Sequence, residues 1–477
     1  MPMESDPESW SAARAWLRVA LGAAFAVVVG GVAGCSALDD VDGFSPEEWK
    51  DVLELEPLAK PMPPSLFNNR YNDPKLARFG QKLFFETELA EAIKVPGPSG
   101  NVGDTGKIGC ITCHDTKYFT DSRPLLLSQG ADHIEQHNTP TLANVAWWDW
   151  YLWMGLFDSL MMHGCFGTLQ EATPLAYAHY VYKKYRAEYE DLFPNDLLDP
   201  ALDPAAPDAA RFPPSGAPGF PGAPPGPYEM MTVEDQMYID KLRTNIARAF
   251  DAYPRHLVTR NSPFEKYIHG DHDALAPAQK RGLRLFIGKA ACNDCHYGPL
   301  LSDQKFHNIG VPTPLGQMPD PGRAGVLPFQ ILPAFGPGSF NTFNGAGPYS
   351  DDPELGAKRI KALDDNNCKP HTAMEPCVPK DEVVGTFRTA MLLNIAETAP
   401  YFHTGEAQTL EDVVRHYNQG GGPLGSYAGT KSPRLRPLGL SDGEIGDLVA
   451  FLNSLTGEFE EPDFACDPHK PGCLAGM

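Results

Sequence analysis

Apolar residues recur at helical spacing in several stretches of this 477-residue chain. Leu76, Phe79, Leu83 and Phe84 fall on one helical face, and Leu283, Leu285 and Phe286 end a similar stretch. The same reading predicts helices over 176–192, 233–252, 277–286 and 442–455. A short helix follows Thr409, a natural cap, with Leu410, Val413, Val414 and Tyr417 on one face. No run alternates in the manner of strands, so the fold class is mainly α. Between these stretches the chain is loop-rich, with 47 Pro and 45 Gly. The Pro-, Gly- and Ala-rich segment 194–227 reads as an irregular, semi-rigid loop, expected to be a disordered insertion.

One apolar run is of another kind. Arg14 and Arg18 precede residues 19–33, a stretch too short for a comfortable membrane span but suited to a signal-peptide core. It ends at Val32, Ala33, Gly34 and Cys35, which looks like a bacterial lipobox with Cys35 as the lipidated residue. Ordinary cleavage near Ala33 is the alternative. The expectation is an exported protein in the periplasm, lipid-anchored to the outer (or inner) membrane. The formal net charge of −22 would repel nucleic-acid phosphates, so nucleic acid is excluded as a partner. Export makes Cys368 with Cys377, and Cys466 with Cys473, plausible disulfides; Cys165 is left as a small buried hydrophobe.

The remaining four cysteines form two CxxCH motifs: Cys110, Cys113, His114 and Cys292, Cys295, His296. Two thiols one helical turn apart can add to the two vinyl groups of a porphyrin, placing the next histidine under the iron. Zinc held by the two CxxC pairs is the rival, but it needs no histidine directly after either pair. Two covalently bound haem c groups are therefore expected. The chain also repeats itself. Thr139, Leu142, Asn144 and Ala146 match Thr389, Leu392, Asn394 and Ala396 at an offset of 250 residues, and Tyr151 and Gly155 match Tyr401 and Gly405. On that offset Tyr417, a candidate sixth ligand of the second haem, lies over Gly167, which has no side chain to offer. The pair is expected to be unequal, with the second iron filled on both faces and the first open.

These motifs, with Asn138, Thr244, Asn261, Gly282, His403 and the segment around Tyr417, resemble the bacterial diheme cytochrome c peroxidase and MauG family, from about residue 72 to 455. The resemblance implies two cytochrome c-like domains from an internal duplication, with a haem-to-haem cleft and long irregular loops. The corresponding division is 1–34 signal peptide, 35–65 tether, 66–260 first haem domain, 261–460 second haem domain and 461–477 tail. It implies that the first haem reacts and the second passes electrons, with Trp153 between them and a calcium ion held by Asn138, Thr398 and Pro400. It places a tyrosine at 417, as in MauG-type members, where peroxidases usually have methionine. It also implies hydrogen peroxide and a small electron-donor cytochrome c or copper protein as partners, and leaves room for a homodimer.

The sequence departs from the family at the reacting haem. Met154 and Leu156 replace an acid and a base beside Trp153. The distal glutamine position falls on His163 and the catalytic glutamate position on Thr173, with Glu171 nearby. His163 and Glu171 are the acid/base candidates. The histidine that caps the resting first haem in many peroxidases falls near Gly130, with His133 and His137 as neighbours. His179, His269, His272 and His371 are expected on the surface. Three functions follow: a peroxidase reducing hydrogen peroxide to water, a MauG-like oxidase of a protein or organic substrate, or a non-catalytic electron carrier.

Overall fold

In the computed structural model, residues 42–121, 128–219, 223–314, 316–332, 336–371 and 377–473 are described. The segment around Cys35 lies outside them. Among the described residues no helix is long and apolar enough to cross a membrane. The chain clusters into two units, 1–49 and 50–477. In the first, Ser45 and Glu48 cap each other's backbone N–H.

The second unit is mainly helical. Its described strands are two-residue pairs: Thr259–Arg260 with Glu458–Phe459, and Phe306–His307 with Phe387–Arg388, both antiparallel. The helices around the two CxxCH motifs are α1 (Pro74–Phe84), α2 (Leu160–Gly167), α3 (Pro174–Leu192), α4 (Val233–Ala252), α5 (Pro277–Ile287), α6 (Leu410–Asn418) and α7 (Asp442–Asn453). Each starts where local chemistry says it should. The Asp73 carboxylate accepts the Lys75 and Leu76 N–H groups at α1, and Thr232 caps α4. Thr409 with Asp412, and Ser441 with Glu444, form reciprocal caps at α6 and α7.

Two helix pairs cross at glycine. A Cβ on Gly80 of α1 would overlap the Ala249 carbonyl of α4, and a Cβ on Gly282 of α5 would overlap the Asp447 carbonyl of α7. Only a missing side chain lets these backbones touch. Gly282→Ala is therefore expected to cost about 1–3 kcal/mol, read as a lower melting midpoint. An unchanged midpoint would show that the α5–α7 crossing can open freely.

Backbone geometry recurs at the 250-residue offset. Asn144 and Asn394 are both left-handed, at φ 60° and 61°, and each begins a 3-10 turn. Both side-chain amides donate to the Thr259 hydroxyl, at 2.8 and 2.9 Å. Leu152 and Phe402 also share positive φ, as do Gly155 and Gly405. Bridges Tyr151–Phe157 and Tyr401–Ala407 close equivalent loops.

The core beside α1, α3 and α4 includes Leu76, Phe79, Val181, Tyr189 and Ile246. It also takes up the insertion. Leu198, Leu202 and Phe212 from segment 194–227 are buried in the same cluster. The expected disordered insertion is thus corrected over its described residues: enough apolar side chains are spaced along it to pack. His179 is corrected with it. Its ring lies 2.8 Å from the Leu202 carbonyl and 3.1 Å from that of Phe212, so it ties the insertion down rather than facing solvent. Cys368–Cys377 and Cys466–Cys473 are disulfides, and Cys165 is a buried free thiol.

Candidate haem sites

After α5 the chain reverses through Ala291, at φ 49°, into the 3-10 turn Cys292–Asp294. The His296 N–H donates to the Cys292 carbonyl, so both thiols and the imidazole are drawn to one turn. His296 Nδ1 lies 2.9 Å from the Leu301 carbonyl. A carbonyl can only accept, so Nδ1 carries the proton and Nε2 is left with its lone pair. The first motif is built alike: the His114 N–H donates to the Cys110 carbonyl, and His114 Nδ1 lies 2.6 Å from the Phe119 carbonyl. Burial lowers the pKa of both imidazoles, favouring the neutral form a metal requires.

A cavity of about 470 Å³ opens beside the second motif. Cys292, Cys295 and His296 line one wall. Leu410, Val413, Val414 and Tyr417 of α6 line it too, with Leu448 and Leu452 of α7. The Tyr417 phenol has no hydrogen-bond partner among the described residues, and burial pushes its pKa up. Two further buried donors at this cavity are unsatisfied: one Nη of Arg388 and Nε1 of Trp148. Arg388 lies over the Trp148 ring, 3.2 Å from its centroid. An apolar chamber with two thiols, an imidazole, a phenol and orphaned cationic and N–H donors fits a haem, whose carboxylates would satisfy such donors.

The same cavity is lined by Thr120, Asn138, Trp153, Thr398 and Pro400. Trp153 Nε1 donates to the Asn138 carbonyl at 2.6 Å, and the Asn138 amide donates to the Pro400 carbonyl at 2.5 Å. Residues 262 apart in sequence thus converge on one point beside Trp153.

Around the first motif, Phe84 packs 5.9 Å from the His114 ring. Cys110 Sγ donates to Glu171 Oε1 at 2.8 Å, while Oε2 is buried without a partner. Burial raises the Glu171 pKa to about 8. His163, on α2, stacks on Phe157 at 5.2 Å. Burial, helped by the nearby His114, lowers its pKa to about 4. Thr173, by contrast, is the N-cap of α3. A Cβ on Gly167 would meet nothing within 4 Å, so this position faces open space. His133 sits between Asp132 and Glu135, which raise its pKa to about 9. His137 is bound to Asp320. Sequence reasoning missed Arg388, Trp148 and the Glu171–Cys110 contact. The 250-residue offset held one signal, since it lays Arg388 over Asn138.

Residues 74–207 match the family described as di-haem cytochrome c peroxidase. The chain is 30% identical over 386 residues to the cytochrome-c peroxidase IdrP2 of Denitromonas iodatirespirans, spanning 80% of this chain and 82% of that one. It is 25% identical over 449 residues to the methylamine utilization protein MauG of Methylorubrum extorquens, spanning 93% and 94%. Among solved structures, a MauG-like protein associated with microbial copper homeostasis matches with TM-score 0.54 at 22% identity, over 86% of this chain and 99% of that one. The diheme peroxidase BthA of Burkholderia thailandensis matches with TM-score 0.51 at 19% identity, over 84% and 89%.

Proposed function

Because this chain belongs to the di-haem cytochrome c peroxidase family, we propose that it reduces hydrogen peroxide to water with electrons from a small cytochrome c or copper protein. It is an oxidoreductase that uses two haems. Their attachment points are Cys110 with Cys113 and Cys292 with Cys295, and His114 and His296 are the proximal ligands. The supporting observation is the asymmetry at the 250-residue offset: Tyr417 lines the chamber of the second motif, whereas Gly167 leaves space. The two halves are read as one duplicated unit, meeting where Trp153, Asn138 and Pro400 converge beside the second chamber.

Bound haem supplies the iron through which electrons reach peroxide. The protein's part is proton traffic and positioning. His163, neutral above about pH 4, accepts the peroxide proton. Glu171, protonated up to about pH 8, gives a proton to the departing oxygen. Trp153 spans the cleft, anchored on Asn138. Low-temperature electron paramagnetic resonance of the ferric protein should show one high-spin and one low-spin haem, with steady peroxide turnover on a reduced donor. Two low-spin haems that both refuse cyanide would leave only the electron-carrier reading.

Tyr417 favours a second reading, a MauG-like oxidase of a protein or organic substrate, because phenolate stabilises oxidised iron better than methionine does. A Tyr417→Met variant that keeps full oxidase activity would sink it. Calcium belongs at Asn138, Thr398 and Pro400, oxygen donors suited to a hard cation once the Asn138 amide turns its oxygen toward Pro400. Chelation is expected to slow peroxide turnover by about tenfold, with calcium restoring it. Lipidation at Cys35, and with it a periplasmic location, is tested by fractionation of a Cys35→Ala variant.

A further inference from the structure

A second cavity, of about 420 Å³, shares the Phe387 and His403 side chains with the chamber of the second motif. These two rings stack with centroids 3.6 Å apart, and with Ile309 and Val311 they line both spaces. The other walls are largely apolar or bare backbone, with Met154, Pro321, Gly322 and Gly385 among them. Against this background the polar groups stand out. His137 Nε2 lies 2.6 Å from Asp320 Oδ2, and Asp320 Oδ1 accepts the Gly322 N–H at 2.7 Å. The carboxylate is therefore fixed and orients the imidazole, whose Nδ1 has no partner among the described residues. Tyr427 and Thr404 also line the cavity. They are 9% and 5% exposed, and neither hydroxyl has a partner. Two buried, unsatisfied hydroxyls at one cavity point to a ligand that carries polar groups of its own.

The ligand class follows from the walls and the neighbour. Apolar sides suit a ring, three unsatisfied polar groups suit ring hydroxyls, and the adjoining haem chamber suits an oxidisable molecule. A metal ion does not fit: His137, Asp320 and His403 do not converge as ligands, and the metal-like cluster found among the described residues, Cys295, Asp303 and His307, belongs to the second motif. We propose that this cavity binds a small hydroxyaromatic reductant, a hydroquinone or related phenol, which passes electrons to the second haem across Phe387 and His403. This rests on the peroxidase reading. A hydroquinone gives two electrons to the second haem and two protons to solvent as its two O–H bonds break and the ring becomes a quinone. One peroxide takes up two electrons and two protons as its O–O bond breaks. The products are one quinone and two waters.

The test uses the ferric holoprotein without peroxide. Resorcinol, a phenol that resists oxidation, should bind by isothermal titration calorimetry with Kd below about 1 mM. Tyr427→Phe and His137→Gln should each weaken binding about tenfold, and the milder Thr404→Val about threefold, with both haem spectra unchanged. Anaerobic reduction of the second haem by hydroquinone should saturate with concentration in the parent protein and become linear in Tyr427→Phe. Absence of saturable resorcinol binding, or equal binding by all three variants, overturns the proposal. Peroxide turnover with a reduced cytochrome is measured separately on the parent protein, so a failed peroxidase reading is distinguishable from an empty cavity.

Discussion

Replacing Cys292 and Cys295 together with serine is expected to leave one haem per chain and to lower peroxide turnover by about a thousandfold. On the proposed attachment, a second haem without thioethers would be held by axial ligands alone and lost on purification. The argument is structural as well as catalytic. A chamber of about 470 Å³ stripped of its haem would expose apolar walls to water. Helices α5, α6 and α7 should therefore loosen together, because Phe286, Val414 and Leu448 all line that chamber. Pyridine haemochrome assay, intact mass and thermal melting followed by circular dichroism check the three consequences. Two haems per chain, or an unchanged melt, would show that the chamber does not depend on its thioethers.

His163→Gln and Glu171→Gln should each reduce peroxide turnover about 10²- to 10⁴-fold, and they should reshape its pH dependence in opposite ways. His163 has a folded pKa lowered to about 4, so the proposed role of proton acceptor would be lost as pH falls through about 4. Glu171 has a folded pKa raised to about 8, so the proposed role of proton donor would be lost as pH rises through about 8. The parent profile should be bell-shaped between those limits. The acid limb should vanish in His163→Gln and the alkaline limb in Glu171→Gln. Stability follows the same groups by linkage. The contribution of Glu171 is fully present below its ordinary value of 4.5 and lost as pH rises through about 8. That of His163 is present above 6.5 and lost as pH falls through about 4. Alkaline destabilisation should therefore be milder in Glu171→Gln than in the parent. If both variants keep the parental bell, the proton carriers are other residues.

Helix spans and caps were legible because periodicity and capping act within a few residues. Spacing alone foretold a helix over 233–252, and the structure has it as α4. Thr409 was readable as a cap, and the face carrying Val413, Val414 and Tyr417 lines the cavity of the second motif. Segment 194–227 misled because its composition resembles a linker, while its few apolar residues find a core supplied by α3 and α4. His179 misled for the same reason, since its partners are carbonyls of that segment.

The sequence by itself determined the two CxxCH motifs, the unequal residues Tyr417 and Gly167, and the recurrence at 250 residues, because each depends on spacing along the chain. Tertiary structure alone decided what surrounds them. Glu171 reaches Cys110 across 61 residues, Asp320 reaches His137 across 183, and Pro400 reaches Asn138 across 262. No local rule of propensity or periodicity links residues so far apart. Their contacts exist only once the loops that carry them fold together, and burial then raises the Glu171 pKa to about 8.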